Sequence, residues 1–430
     1  MRSAFDLERF ELPEGIPIVF QRFPRSSGIS VVSWVGEAST AHEKRGKEGL
    51  ATLTGRLLKS GTSRHTKRVL ADELDRIAAS ISVEVDGDAT TVEIRGPTVL
   101  EDRLIELLLE VVYDPVFPSD EVDRARRMTI ERLRRDLTQP TSLSERRFME
   151  ALFPPGHPYH YSPMGEVRSV GRITRADLRE FHRKHYTAPG SKFAVTSSRD
   201  AEEVLGTLRR ALRTYELSDR PVPTVSPPSV RERNGGPPRV FPVKGSQQVS
   251  VIVGGLAPAI GDPSRPALEL AHEVLGSRPV LSRLFQVVRE QNGLAYYADS
   301  SLHMMKRGGY WLATAGTALS SVGQVRDLLL REVRELGSSE VPPNELDTIR
   351  NSYIGSLPLL LDTPQSAHTL AQEVTIYELP LDHLLHWPER LKEVSPRELQ
   401  EAVRTRLGSW SDPLVVLSGP PFPATQTHTA

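Results

Sequence analysis

The chain has 430 residues, 38% of them apolar and 25% charged, with a net charge of −1 and no cysteine. That length exceeds one ordinary core and points to two domains in a water-soluble protein. Near-neutral charge removes the electrostatic case for binding nucleic acid or an anionic membrane, and the lack of cysteine excludes disulfides, thiol catalysis and Cys-based zinc sites. The first ten residues hold no apolar core of signal-peptide length, and no window approaches about 18 uninterrupted apolar residues, so a cytoplasmic protein without a membrane span is expected.

In chain order, Gly28–Val35 is a β-rich run. Leu50, Leu53, Leu57 and Leu58 then fall at helical spacing. Ser82–Ile94 alternates around Asp86-Gly87, a hairpin signal. A charged helix is predicted from Pro118 to Asp136, with Val122, Met128 and Leu133 along its apolar side. Asp120 and Glu121 sit in its first turn, where they suit the helix dipole. From Glu216 to Arg239 six prolines and Gly235-Gly236 preclude regular structure and predict a semi-rigid linker. Another β-rich run, Gln247–Val253, follows. Hairpin-paired strands followed by long helical runs predict an α+β fold, not a doubly wound parallel sheet.

The two halves echo each other. A constant offset pairs Pro118 with Pro342, Glu121 with Glu345, Asp123 with Asp347, Arg126 with Arg350, Pro140 with Pro364 and Ser142 with Ser366. Further on, Ile173-Thr-Arg-Ala-Asp-Leu178 echoes Val394-Ser-Pro-Arg-Glu-Leu399 at a slightly smaller offset. Repeats this long imply duplicated domains, not a solenoid. The expected organisation is a domain over 1–220, a linker over 221–239 and a homologous domain over 240–430.

Gly49-Leu-Ala-Thr-Leu-Thr-Gly-Arg-Leu-Leu-Lys-Ser-Gly-Thr62 carries the most information. It resembles the frame G-L-A-H-x-x-E-H-L-L-x-x-G-T of the insulinase/pitrilysin (mitochondrial processing peptidase-like) zinc metallopeptidases. In that H-x-x-E-H pattern the two His bind zinc and the Glu activates water. Gly49, Leu50, Ala51, Leu57, Leu58, Gly61 and Thr62 match the frame, while Thr52, Gly55 and Arg56 stand at the chemical positions. The family's third ligand, a Glu on a later helix, maps to Arg132, and a further family Glu maps to Ala125. Glu131 is adjacent, but one helical step of about 100° turns it away. A ligand must offer a lone pair, which a guanidinium lacks. Arg56 and Arg132 are therefore expected to exclude zinc, and no metal or cofactor is expected in this chain.

Ser282-Arg-Leu-Phe-Gln-Val-Val-Arg289-Glu-Gln-Asn-Gly293-Leu-Ala-Tyr296-Tyr297 closely resembles a second family segment, S-R-L-F-x-x-[IV]-R-E-x-x-G-L-A-Y. The resemblance implies that Arg289 and Tyr296 reach over a zinc site, where both are suited to bind substrate carbonyls and the developing oxyanion. Leu284, Val287 and Val288 form an apolar helix face, and Asn292-Gly293 offers a left-handed cap. Neighbours in a strand face opposite sides, so only one of Tyr296 and Tyr297 points into the site. The glycine-rich loop of some inactive mitochondrial relatives is not evident at Gly276–Leu281. Three H-x-x-H spacings, at His157/His160, His182/His185 and His383/His386, contain no Glu and read as capping and packing.

The resemblance runs from a hairpin around Leu12-Pro-Glu-Gly15 to a strand at Pro413–Ser418. It implies two homologous α+β domains, each a mainly antiparallel sheet with helices packed against it. The function expected from it is that of a non-zinc-binding subunit of a heterodimeric metallopeptidase. Its partner would be a homologous subunit with H-x-x-E-H and zinc, its substrate a peptide, and its contribution Arg289 and Tyr296. The alternative is a catalytically inert peptide-binding or scaffold homologue.

Overall fold

A computed structural model of the chain describes residues 7–23, 28–231 and 235–422. Two units emerge, each with its own sheet. The first takes the chain to Leu133, then Ser162–Ser226 and Leu357–Leu385. The second takes Arg134–Tyr161, Pro227–Ser356 and the chain from His386 onward.

The first unit holds β1 (Leu7–Glu11), β2 (Pro17–Arg22), β3 (Ile29–Gly36), β4 (Ser80–Val85), β5 (Thr90–Pro97) and β6 (Ser191–Ser197), in the order β1-β2-β6-β3-β5-β4. Only β2 and β6 run parallel. Gly15, at φ +72°, closes the β1–β2 turn in the left-handed region open to glycine. The β4–β5 turn is held by Asp86, whose carboxylate accepts from the N–H groups of Asp88 and Ala89 at 2.7 and 2.9 Å. β3 shows the strand period of two: Val32 and Trp34 join the apolar core with Leu104 and Leu108, while Ser33 faces the other side.

The second unit holds β7 (Arg239–Pro242), β8 (Gln248–Ala257), β9 (Ala295–Met305), β10 (Gly308–Ala318) and β11 (Leu414–Gly419), in the order β7-β11-β8-β10-β9. With β1 set aside, the two sheets are the same figure. In each, the first strand lies parallel to the last, then come the second, fourth and third, all antiparallel. The duplication legible in the offsets is thus a duplication of topology. The helix starts agree. Thr174 and Ser395, matched by the second offset, each cap a helix whose third residue, Asp177 or Glu398, reaches back to complete a capping box.

Two helices matched by the first offset change sides. Pro140–Leu152 comes from the first half of the chain but packs on β8 and β11. Its Phe148 is wholly buried among Ile252, Leu312, Leu414 and Val416, and its Ser144 hydroxyl meets that of Ser250 at 2.7 Å. Pro364–Tyr377 comes from the second half but packs on β2, β3 and β6. There His368 is fully buried, with its ring nitrogens 2.7 Å from Ser33 Oγ and 3.0 Å from Thr196 Oγ1.

Residues 216–231 form neither helix nor strand, in keeping with their prolines, and 232–234 of the expected linker lie outside the described residues. The charged helix runs Ser119–Asp136; Val122 and Leu133 are buried as expected, but Met128 is half exposed because it faces Arg56 instead of the core. Among the described residues no helix is long and apolar enough to cross a membrane.

Candidate functional site

Arg289 stands on the last turn of a wide, π-type helical stretch, Phe285–Gln291. Leu284 and Val288 bury the apolar face, and Val287 is half-buried. Gly293 ends the helix at φ +60°, with its N–H donating to the Arg289 carbonyl at 3.0 Å. The next N–H, of Leu294, donates to Val288, and the Asn292 side chain donates to Val287 at 2.7 Å. These bonds fix the step from helix to β9. At the other end of the segment Arg283 grips Glu345 with two bonds of 2.7 and 2.9 Å, a fork geometry suited to carboxylate. The Arg289 guanidinium itself is exposed, 5.0 Å from the Phe285 ring centroid, and forms no side-chain hydrogen bond or ion pair among the described residues.

Tyr296 follows on β9. The β9–β10 ladder pairs Tyr297 with Gly316 and then Ala295 with Thr317, skipping Tyr296. Tyr296 is the extra residue of a β-bulge, a device that re-aims a side chain. Its ring is 80% exposed and its hydroxyl meets no partner among the described residues. Tyr297 turns the other way and lies over Gly316, where an added Cβ would come within 2.3 Å of the Tyr297 ring. Thr317 pins the bulge by donating to the Leu294 carbonyl at 2.6 Å. Arg289 and Tyr296 therefore occupy successive elements of one unit and both present free donors to solvent.

The positions corresponding to a metal site lie in the first unit. Helix Leu50–Leu57 carries Thr52, Gly55 and Arg56; helix Ser119–Asp136 carries Ala125 and Arg132. The Thr52 hydroxyl is spent on the Pro163 carbonyl. Gly55 is buried, and a Cβ there would lie 2.8 Å from Val85 Cγ2 and 3.1 Å from Val83 Cγ1, so β4 occupies the space a longer side chain needs. Arg56 crosses to the second helix, 3.4 Å from Thr129 Oγ1 and 4.0 Å from Met128 Sδ. Arg132 is exposed and Ala125 is buried. Glycine, alanine and two guanidiniums offer zinc no lone pair. These residues do not fit the metal. Among the described residues no group of three or more His, Asp or Glu comes together to hold one elsewhere.

The remaining polar features have structural work. His157 is buried, stacks on Phe153 at 4.6 Å and accepts from the Tyr159 N–H at 3.2 Å. His160 bonds the Phe153 carbonyl at 2.6 Å. His182 donates to the Val112 carbonyl at 2.7 Å, and burial pulls its pKa down to about 4. His185 is held near 4 by burial and by the His42 ring 4.9 Å away. Glu43, which the sequence reading passed over, accepts from the N–H groups of Gly49 and Ala51 at the start of the Leu50 helix. Burial raises its pKa to about 8, against the lowering effect of those two bonds. Its sequence signal is slight: an acid a few residues before a helix lacking its own side-chain cap.

A profile described as insulinase (peptidase family M16) matches residues 24–154, and one described as the peptidase M16 inactive domain matches residues 172–353. An uncharacterized zinc protease of Mycobacterium leprae is 26% identical over 363 residues, covering 83% of this chain and 80% of the relative. A crystal structure of a peptidase M16 inactive domain from Pseudomonas fluorescens matches with a TM-score of 0.89 at 21% identity, over 97% of this chain and 98% of that one. The structure of a protease from Helicobacter pylori matches with a TM-score of 0.87 at 19% identity, over 96% of this chain and 100% of that one.

Proposed function

Because the chain belongs to the insulinase (M16) family of peptidases yet has no His, Asp or Glu at its metal positions, we propose that it is the non-zinc-binding subunit of a heterodimeric metallopeptidase. The partner in this reading is a homologous subunit with H-x-x-E-H and zinc. The present chain closes the cavity around a peptide and supplies Arg289 and Tyr296. Both act through fixed donors: a guanidinium and a phenol OH bind substrate carbonyls and stabilise the oxyanion that develops when water attacks the peptide carbon. A cytoplasmic site of action belongs to the same reading.

The observation that carries this proposal is the bulge at Tyr296. A tyrosine 80% exposed contributes almost nothing to a core, yet the ladder is broken to project it. Its neighbour in the motif, Arg289, is held out with no ion pair among the described residues. One half of a catalytic constellation has been removed and the other half stands ready.

The test is to mix the purified chain with the homologous H-x-x-E-H subunit from the same source and follow cleavage of a quenched fluorescent peptide. Turnover is expected only in the mixture. Arg289→Ala and Tyr296→Phe are each expected to lower kcat by about 10²-fold or more, the range for loss of an oxyanion donor, with the dimer intact by gel filtration. Full turnover in both variants would leave the chain as a catalytically inert peptide-binding homologue.

A further inference from the structure

The positions that cannot hold zinc have a chemistry of their own. Arg56 and Arg132 are exposed and neither pairs with a carboxylate among the described residues. On the same helix Arg126 binds Asp123 at 2.8 Å and Arg124 lies 4.0 Å from Glu121, while Arg127 and Arg135, like Arg132, are exposed and pair with no carboxylate among the described residues; Arg132 differs from those two in lying on the face that Arg56 reaches. Arg56 reaches that helix at Met128 and Thr129. Arg132 is four residues beyond the first and three beyond the second, so it shares their face. Two unpaired guanidiniums therefore address one patch. The hydroxyls beside them are engaged as donors elsewhere, Thr129 to the Ala125 carbonyl at 2.8 Å and Thr52 to Pro163. The free donors at the patch are guanidinium N–H groups, whose planar forks match the two oxygens of a carboxylate.

We propose that Arg56 and Arg132 form an oxyanion site that takes the free C-terminal carboxylate of a peptide. Loss of the metal position becomes a change of ligand: from a cation bound by lone pairs to an anion bound by N–H donors. A phosphate shares this chemistry.

Binding is measured by calorimetry on this chain alone, so the result is independent of the reading of Arg289 and Tyr296. The probes are acetyl-tetraalanine with a free C-terminus, the same peptide as its amide, and inorganic phosphate. The free acid is expected to bind about tenfold tighter than the amide, as loss of charged hydrogen bonds implies. Arg56→Gln and Arg132→Gln are each expected to reduce that preference, the pair together to abolish it, and added salt to weaken it. Both side chains are exposed, so a melting curve should show the variants folded. Equal affinity for acid and amide, or an acid preference surviving in the double variant, would overturn the proposal. Binding of phosphate with no preference for the peptide acid would overturn the assignment to a peptide.

Discussion

At the scale of single residues, the loss of the zinc position is written into packing as well as into ligand identity. Gly55 lies in a helix, where alanine would ordinarily gain about 1 kcal/mol. Here a methyl group meets Val83 and Val85 on β4 at 3.1 and 2.8 Å, and overpacking a core costs about 1–3 kcal/mol. The second effect is the larger, so Gly55→Ala is expected to lower stability by about 1 kcal/mol in urea denaturation and Gly55→Glu by more. A stabilised Gly55→Ala would show the packing to be looser than described. Arg56 makes the same point electrostatically, since its guanidinium crosses to Thr129 and repels a dication. Metal analysis of the purified chain is therefore expected to find no stoichiometric zinc.

At the scale of elements, the exchanged helices and the paired capping boxes carry the architecture. Phe148 is the main apolar anchor of helix Pro140–Leu152 on the second sheet, wholly buried among four aliphatic side chains. Phe148→Ala is expected to cost about 3–5 kcal/mol, the range for emptying such a site, read as a fall in the urea midpoint. The capping boxes of Thr174 and Ser395 are equivalents in the duplication and satisfy their helices in the same way. Thr174→Ala and Ser395→Ala should each cost about 1 kcal/mol. The two losses should add, because the two boxes share no hydrogen-bond partner.

At the scale of the whole molecule, buried histidines contribute to the response to acid. His368 is fully buried and burial holds its pKa at about 3, against an ordinary 6.5. The unfolded chain therefore takes up a proton that the folded chain refuses between those values. His368 contributes stability that is present above pH 6.5 and is lost as pH falls toward 3. His182, His185 and His272, depressed by burial to about 4, act in the same sense over pH 6.5 to 4. Glu43 acts oppositely: its pKa of about 8 favours the folded state below pH 4.5, an advantage lost as pH rises through 8. Stability measured across pH 3–6.5 should fall less steeply with acid in His368→Gln than in the parent chain, although the variant starts lower for loss of the bonds to Ser33 and Thr196. Parallel curves would show that His368 does not titrate differently in the two states. The duplication, the mixed strand and helix content and the loss of metal donors were legible without coordinates. They rest on local signals: hydrophobic period, turn residues, repeated caps, and side chains that either have a lone pair or do not. Arg289 and Tyr296 were legible as positions in a motif. That Tyr296 projects from a bulge was not, because a bulge is a mismatch between two strands and appears only when β9 is laid against β10. The exchange of helices Pro140–Leu152 and Pro364–Tyr377 was equally hidden, since a helix's own sequence marks its apolar face but not the distant strands that cover it. The sequence by itself determined which groups can donate, accept or coordinate. Only the tertiary structure decided which of them face solvent, which face each other and which, like Arg56 and Arg132, have no counter-charge among the described residues, because burial and pairing are properties of contacts between distant parts of the chain.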